Sequence, residues 1–325
     1  MMLHKEIFTI QNSDDFERLA IKIFRYQYDH NAVYRNFCDL LGCKPDEIKM
    51  LADIPFLPIQ FFKTHHVISN ERNPEIIFTS SGTTGTLTSK HLVTDLKIYK
   101  ESFSEAFNRE YGYPSNYNIL ALLPSYLERE GSSLIYMVDH LINQSDSKNS
   151  GFYLYEMDAL IEKLEELEAK KQKTILIGVS YALLDLIEKK KFNLKNTIVM
   201  ETGGMKGRRK EMIKEELHNV LKEGFGVKNI HSEYGMTELL SQAYSKGDGV
   251  FSCPPWMKIL TRDPEDAQTY INYKTGGINV IDLANIYSCS FIATQDLGKI
   301  DKMGNFEIMG RFDSSDIRGC NLMVL

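Results

Sequence analysis

Hydroxyl side chains and two glycines are concentrated in residues 79–90, which read Thr-Ser-Ser-Gly-Thr-Thr-Gly-Thr-Leu-Thr-Ser-Lys and directly follow the apolar run 76–78. Glycine permits backbone conformations that turn successive N–H groups toward one point, while serine and threonine add hydroxyl donors and lysine adds a positive charge. This set of donors suits phosphate, so we expect a nucleoside triphosphate as ligand. The candidate contacts are Thr79, Ser80, Ser81, Gly82, Thr83, Thr84, Gly85 and Lys90.

The same segment has a second interpretation. In a Walker loop a glycine stands immediately before Lys and Ser/Thr, and no glycine precedes Lys90. A surface turn rich in serine and threonine would have the same composition. Taken alone, the segment does not decide between a phosphate loop and a turn, so the elements that position it matter.

The composition is that of a globular protein with room for a sizeable core, since 43% of the 325 residues are hydrophobic. The net charge of −6 and the lack of a basic tract interleaved with aromatics argue against a nucleic-acid partner. The start has no signal-peptide pattern, and no run is long enough for a membrane span, so we expect a cytoplasmic protein. Five cysteines without CxxC spacing indicate free thiols rather than disulfides or a zinc site.

Apolar runs alternate with helical patterns from residue 76 onward, and this rhythm predicts parallel strands with crossover helices. Before it, a helix is expected to begin at a capping Ser13. After residue 250 the helical signals fade, which predicts a smaller β-rich portion. The predicted strands are 76–79, 118–123, 152–155, 174–179, 197–201, 229–231, 278–283 and 290–293, and the predicted later helices are 95–109, 132–144, 157–171, 181–190 and 207–223.

Ligands of open α/β sheets bind beyond the carboxyl ends of the strands, and four polar segments follow predicted strands. The first is the loop described above. The second, Glu201-Thr202-Gly203-Gly204, would let a flat group lie against the backbone. The third, 231–238, offers an aromatic ring, a hydroxyl and a carboxylate, and the fourth contains Asp296. Each segment by itself also fits a capped turn, but the four occur in an order that favours a nucleotide site.

That order resembles the adenylate-forming superfamily of acyl-CoA synthetases, luciferases and peptide-synthetase adenylation domains, over roughly residues 54 to 320. Within it, further segments are similar to the LuxE-type acyl-protein synthetases, which activate fatty acids for bacterial bioluminescence reductases. The superfamily motifs are Ser80-Ser81-Gly82-Thr83-Thr84-Gly85, Gly203-Gly204, Tyr234-Gly235-Met236-Thr237-Glu238, Asp296 and Gly310-Arg311-Phe312-Asp313; the LuxE-like segments are 123–129, 132–134, 253–257 and 318–320.

The resemblance implies an α/β fold, with mostly parallel sheets flanked by helices, and ATP-dependent formation of an acyl-adenylate followed by transfer to a thiol. Loop 80–86 would hold the pyrophosphoryl group. Gly203, Gly204 and Tyr234 would flank adenine, Gly235 and Met236 would complete that turn, and Thr237 would contact the α-phosphate. Glu238 would bind Mg²⁺, Asp296 the ribose hydroxyls, and Arg311 the ribose or a phosphate. Thr237, Glu238, Arg311 and the thiol Cys320 form the expected catalytic set.

Two features depart from the superfamily. Residues 86–90 replace its usual Gly-x-Pro-Lys-Gly continuation, and few residues follow Asp313, where relatives carry a C-terminal domain with a catalytic lysine. The expected organisation is a helical segment 1–75, an adenylation core 76–310 and a short tail 311–325. Short acyl-protein synthetases fit this length better than coenzyme A ligases do.

Cys320 is the expected acyl acceptor, since Arg311, Arg318 and the turn at Gly319 would favour its thiolate. Cys253 and Cys289 are expected to be packed. The expected substrate is a carboxylic acid, most simply a fatty acid. An acyl reductase or carrier would receive its acyl group. Two alternatives stay open: a phenylacetate-type ligase that uses coenzyme A, and a nucleotide-binding module without turnover.

Overall fold

The computed structural model describes residues 3–69, 72–80, 87–124, 131–204, 209, 212–267 and 269–311. The chain forms two compact units, of which unit 2 is Arg72–Pro254 and unit 1 combines the chain before Arg72 with the chain after Pro254. The predicted segments 1–75, 76–310 and 311–325 stay predictions. None of the described helices is both long and apolar enough to cross a bilayer.

The helices of the described residues fall into two groups, α1 to α4 in the N-terminal part of unit 1 and α5 to α9 in unit 2. They are α1 (His4–Ile7), α2 (Ser13–His30), α3 (Ala32–Leu40), α4 (Phe61–Thr64), α5 (Leu96–Tyr111), α6 (Ser133–Gln144), α7 (Met157–Ala169), α8 (Ser180–Lys189) and α9 (Lys214–Phe225).

The strands are β1 (Leu57–Pro58), β2 (Ile76–Thr79), β3 (Lys90–Val93), β4 (Asn118–Leu122), β5 (Gly151–Phe152), β6 (Thr174–Val179), β7 (Thr197–Thr202), β8 (His231–Tyr234), β9 (Ala243–Ser245), β10 (Val250–Phe251), β11 (Met257–Arg262), β12 (Gly276–Asp282), β13 (Phe291–Ile300) and β14 (Phe306–Arg311).

Unit 2 is built on a sheet with the strand order β5-β4-β6-β7-β8-β9. Strands β4 to β8 run parallel, and β9 returns antiparallel to β8. Every residue of β4 and β6 is buried, as expected of parallel strands covered on both faces. The predicted parallel α/β arrangement is confirmed for this sheet.

Strand β2 does not join the parallel sheet, which corrects its predicted place as the first parallel strand. It pairs antiparallel with β3 in a separate two-stranded sheet, with Thr79 opposite Lys90. The physical reason is the short connection between β2 and β3. A parallel pair needs a crossover of a dozen or more residues, whereas an antiparallel hairpin does not.

Unit 1 contains a second sheet, in which β14, β13, β12 and β11 follow one another antiparallel and β1 adds parallel to β13. Helix α2 packs on this sheet through Phe24, whose ring lies 6.3 Å from that of Phe291. Gln27 is buried there and donates to the carbonyl oxygens of Asn285 and Ile286 at 3.1 and 2.9 Å. This mainly antiparallel sheet is larger than the small β-rich portion expected, since β13 alone has ten residues.

Candidate active site

The stem of the candidate phosphate loop is a regular hairpin. Thr79 and Lys90 form the last β2–β3 pair. Beyond them Ser80 N–H donates to Ser89 O at 3.1 Å, and Ser89 N–H donates to Ser80 Oγ at 2.9 Å. Lys90 is exposed at the foot of the loop. The other predicted loop contacts, Ser81, Gly82, Thr83, Thr84 and Gly85, lie outside the described residues.

The second candidate segment lies beside the third because of strand register. Parallel strands β7 and β8 are in register up to the pair Thr202 and Glu233, so Gly203 and Tyr234 leave neighbouring strands at the same edge. Gly203 has φ +67°, a conformation that favours glycine, and both Gly203 and Gly204 are exposed. Two of the four predicted segments therefore lie at one edge of this sheet. Asp296 does not follow a strand end as predicted, because its strand, β13, continues from Phe291 to Ile300.

The chain leaves β8 at Tyr234 and makes a tight turn, in which Leu239 N–H donates to Met236 O at 3.1 Å. Gly235 has a steric role, because a Cβ there would lie 2.5 Å from Glu233 Oε1. Thr237 is half-buried, and Glu238 is buried at the end of the turn.

His91 fastens the loop stem to this turn and was not singled out from the sequence. It is fully buried in β3, and its Nδ1 lies 2.9 Å from the carbonyl oxygen of Thr237. A carbonyl can only accept, so Nδ1 carries the proton in this bond. The sequence feature that could have pointed to His91 is the run 90–93 after the loop, in which His91 occupies a strand position next to Lys90.

A buried ionic cluster lies under Gly203. The Glu201 carboxylate accepts from Lys214 Nζ at 2.5 Å, and His218 Nε2 lies 3.5 Å from the same oxygen. Burial by itself would raise the pKa of Glu201, but the charge of Lys214 and hydrogen bonds from His218, Lys214 and Ser232 outweigh it and hold the pKa at about 2. Lys214 follows no recognisable motif, so sequence reasoning missed it.

Glu233 behaves in the opposite way. Burial raises its pKa to about 7, although Thr202 Oγ1 donates to the carboxyl at 2.5 Å. Its cross-strand neighbour Tyr244 is also buried, and the Tyr244 hydroxyl has no hydrogen-bond partner among the described residues. The edge of the sheet therefore carries one firmly ionised carboxylate, Glu201, and one carboxyl that titrates near neutrality.

In unit 1, the structure brings together the predicted Asp296 and Arg311. They are direct partners in the β13–β14 ladder, and Arg311 Nε lies 3.3 Å from Asp296 Oδ1. Asp296 N–H donates to Thr294 Oγ1 at 3.1 Å, and the buried Arg262 donates to Thr294 O at 2.6 Å. Burial lowers the pKa of Arg262 to about 10, while Tyr270 and Asp296 oppose this shift.

Glu238 is the residue predicted to bind Mg²⁺. No group of three or more His, Cys, Asp or Glu side chains that could hold a metal ion occurs within the described ranges. Mg²⁺ commonly binds one or two carboxylates together with substrate phosphates and water, so a single carboxylate at a phosphate site fits this ion. Magnesium would supply charge neutralisation on the phosphates.

None of the cysteines within the described ranges forms a disulfide. Cys289 is fully buried, and burial raises its pKa to about 12, so the prediction that it is packed is confirmed. Cys253 is only half-buried. The predicted acceptor Cys320 lies outside the described residues.

Comparison of folds gives the class of protein. A 2-hydroxyisobutyryl-CoA ligase, solved with 2-HIB-AMP and CoA, superimposes with a TM-score of 0.69 at 13% identity, covering 94% of this chain and 77% of that one. ATP-bound MatB from Rhodopseudomonas palustris matches with a TM-score of 0.55 at 18% identity over 72% of this chain and 47% of its own. The chain has the fold of the adenylate-forming ligases.

Sequence comparison gives the family. The model of the family "Acyl-protein synthetase, LuxE" matches residues 7–325, so the chain belongs to that family and is an adenylate-forming ligase. It is 22% identical to the long-chain-fatty-acid–luciferin-component ligase of Vibrio harveyi, over 94% of this chain and 86% of that protein.

Proposed function

We propose that this protein activates a long-chain fatty acid with ATP. A carboxylate oxygen attacks the α-phosphorus, the bond from that phosphorus to the pyrophosphate oxygen breaks, and acyl-adenylate and pyrophosphate form. The observation that carries the proposal is the shared edge of β7 and β8, where Gly203 lies beside the turn 234–238 and His91 ties that turn to the loop stem. Membership of the acyl-protein synthetase family and the substrate named for the Vibrio harveyi relative support the choice of acid.

The residue roles in this proposal follow the sequence motifs. Loop 80–86, with Thr79 and Lys90 at its stem, binds the pyrophosphoryl group. Gly203, Gly204 and Tyr234 flank adenine, and Gly235 and Met236 complete that turn. Thr237 contacts the α-phosphate and Glu238 holds Mg²⁺. In unit 1, Asp296 accepts from the ribose hydroxyls, and Arg311 reaches ribose or phosphate. Catalysis then rests on positioning and on neutralising charge around phosphorus.

Cys320 is the proposed acyl acceptor. Its thiolate sulfur attacks the acyl carbonyl carbon, the bond to the adenylate oxygen breaks, and AMP leaves while a thioester forms on the protein. An acyl reductase or carrier would then receive the acyl group; the name of the Vibrio harveyi relative states that it ligates a fatty acid to a luciferin component. Coenzyme A is the alternative acceptor, favoured by the CoA complex of the fold neighbour. A cytoplasmic location stays a prediction.

Intact-mass analysis tests the choice of acceptor. The protein is incubated with Mg-ATP and fatty acids of different chain lengths, with and without coenzyme A. One acyl group per chain, released by hydroxylamine, is expected without coenzyme A. Formation of acyl-CoA with no acylated protein would instead establish the coenzyme A ligase.

A further inference from the structure

We propose that Lys214 is a positioning residue that fixes both sides of the adenine site, the backbone at Gly203 and the ring of Tyr234. This inference rests on the proposed function, because that function places adenine between these two residues. Lys214 is the first residue of α9 and belongs to neither sequence motif.

The first connection runs from Lys214 to the Gly203 backbone. Its ammonium is 2.5 Å from Glu201 Oε1, and the Glu201 side chain is 2% exposed against 30% for that of Lys214. The other carboxylate oxygen lies 3.2 Å from Ser180 Oγ, which is 2.8 Å from Gly203 O. A buried carboxylate needs a compensating charge, so loss of the ammonium would disturb the strand end from which Gly203 emerges.

The second connection runs from Lys214 to Tyr234. The ammonium lies 5.3 Å from the centroid of the Phe251 ring, within the range of a cation–π contact. Phe251 is buried and meets Tyr234 at 5.9 Å and 62°, an edge-to-face contact. Gly249 has φ +70°, and a Cβ there would lie 3.1 Å from Lys214 Cγ, so glycine suits both the backbone and the space beside the lysine stem.

The position of Lys214 in its helix supports a specific role. A positive charge in the first turn is opposed by the helix dipole, which favours acidic residues such as the neighbouring Glu215 and Glu216. The favourable interactions of Lys214 are therefore those with Glu201 and Phe251. Both are made within unit 2, and they lead to the two neighbouring strand ends, β7 and β8.

The test compares binding of ATP, AMP and inorganic pyrophosphate by calorimetry. Lys214→Met keeps an unbranched apolar side chain and removes the charge, so ATP and AMP should bind about tenfold more weakly, which is 1.4 kcal/mol at 25 °C. Pyrophosphate should bind unchanged, because the phosphate loop lies on another element. In pyrophosphate exchange, KM for ATP should rise while kcat changes little, and Lys214→Arg should restore much of the affinity.

Lys222→Met is the matched control, because Lys222 is on the same helix, similarly exposed, and pairs 3.5 Å away with Asp248, a surface residue. It should leave all three affinities unchanged. If Lys214→Met fails to fold, the double variant Glu201→Gln/Lys214→Met removes both charges of the pair and should show the same selective loss of AMP binding. Wild-type AMP affinity in a folded Lys214 variant, or an equal loss of pyrophosphate binding, would overturn this inference but leave the proposed function standing. A wild-type protein that binds no adenine nucleotide overturns the proposed function and this inference together.

Discussion

At the scale of single residues, Glu238 tests the proposed magnesium role. Glu238→Gln keeps the size of this buried side chain but removes its charge, so pyrophosphate exchange should fall at least about tenfold while the fold persists. Glu223→Gln, on the exposed face of α9, is the control and should exchange normally. Exchange at the wild-type rate in Glu238→Gln at low magnesium would remove Glu238 from the site.

Glu233 makes stability depend on pH in a direction that can be worked out. Its folded pKa of about 7 lies above the ordinary 4.5, so the folded state binds more protons between these values and loses stability as pH rises through that window. Glu233→Gln should match the wild type near pH 4 and exceed it by roughly 3 kcal/mol at pH 8, from about 1.4 kcal/mol per pKa unit.

Urea denaturation at several pH values measures this difference. The pKa values of Glu201 and His231 are lowered to about 2 and about 4, so these two groups stabilise the folded state as pH rises through their own windows. Their contribution is the same in the variant and the wild type, so the difference between the two proteins reports on Glu233. A stability difference that stays constant with pH would show that Glu233 has an ordinary pKa.

At the scale of elements, the bond from His91 to Thr237 joins the loop hairpin to the turn. His91→Phe keeps a buried ring but leaves the Thr237 carbonyl without this donor, which should cost about 1–3 kcal/mol of stability and raise KM for ATP in pyrophosphate exchange. His91→Asn offers an amide donor near the place of Nδ1 and should recover part of the loss. Equal KM values for the wild type and His91→Phe would show that the bond does not position the turn.

Regular elements could be predicted from sequence where burial is uniform. The apolar run at 174–179 is a strand with those bounds, because continuous apolar stretches need two covered faces. Helix α2 was predicted from its spacing, but its cap is Asn12, whose side chain accepts from Asp15 N–H at 2.9 Å, and not Ser13. Asn12 and Ser13 are both residue types favoured at a helix N-cap, and the path of the backbone decides which of them takes that position.

The candidate site could be predicted only in part. Motifs at the ends of β7 and β8 are contiguous in sequence, so Gly203 and Tyr234 were found. His91 and Lys214 act through side chains that meet the motifs from other elements, and such contacts leave no periodicity or spacing. The pairing of β2 with β3 was missed because the apolar run 76–79 fits a parallel or an antiparallel strand equally well.

At the scale of the whole molecule, the proposed reaction has two half-reactions that one substitution should separate. Cys320→Ser should leave pyrophosphate exchange near the wild-type rate, since phosphorus chemistry does not involve the thiol, yet abolish stable acylation, because a hydroxyl is a far weaker nucleophile than a thiolate. Cys289→Ala is the control and should affect only stability, given the burial of that side chain. One acyl group per chain on Cys320→Ser would place the acceptor elsewhere.

The central claim is that this protein adenylates a fatty acid, and carboxylate-dependent exchange of labelled pyrophosphate into ATP measures that step directly. The wild-type protein, with Mg-ATP and saturated acids of graded length, should show exchange that requires the acid and is strongest for a long chain. Adding coenzyme A should not be necessary. An absence of acid-dependent exchange at every chain length, from protein that is folded and binds ATP, would contradict the account.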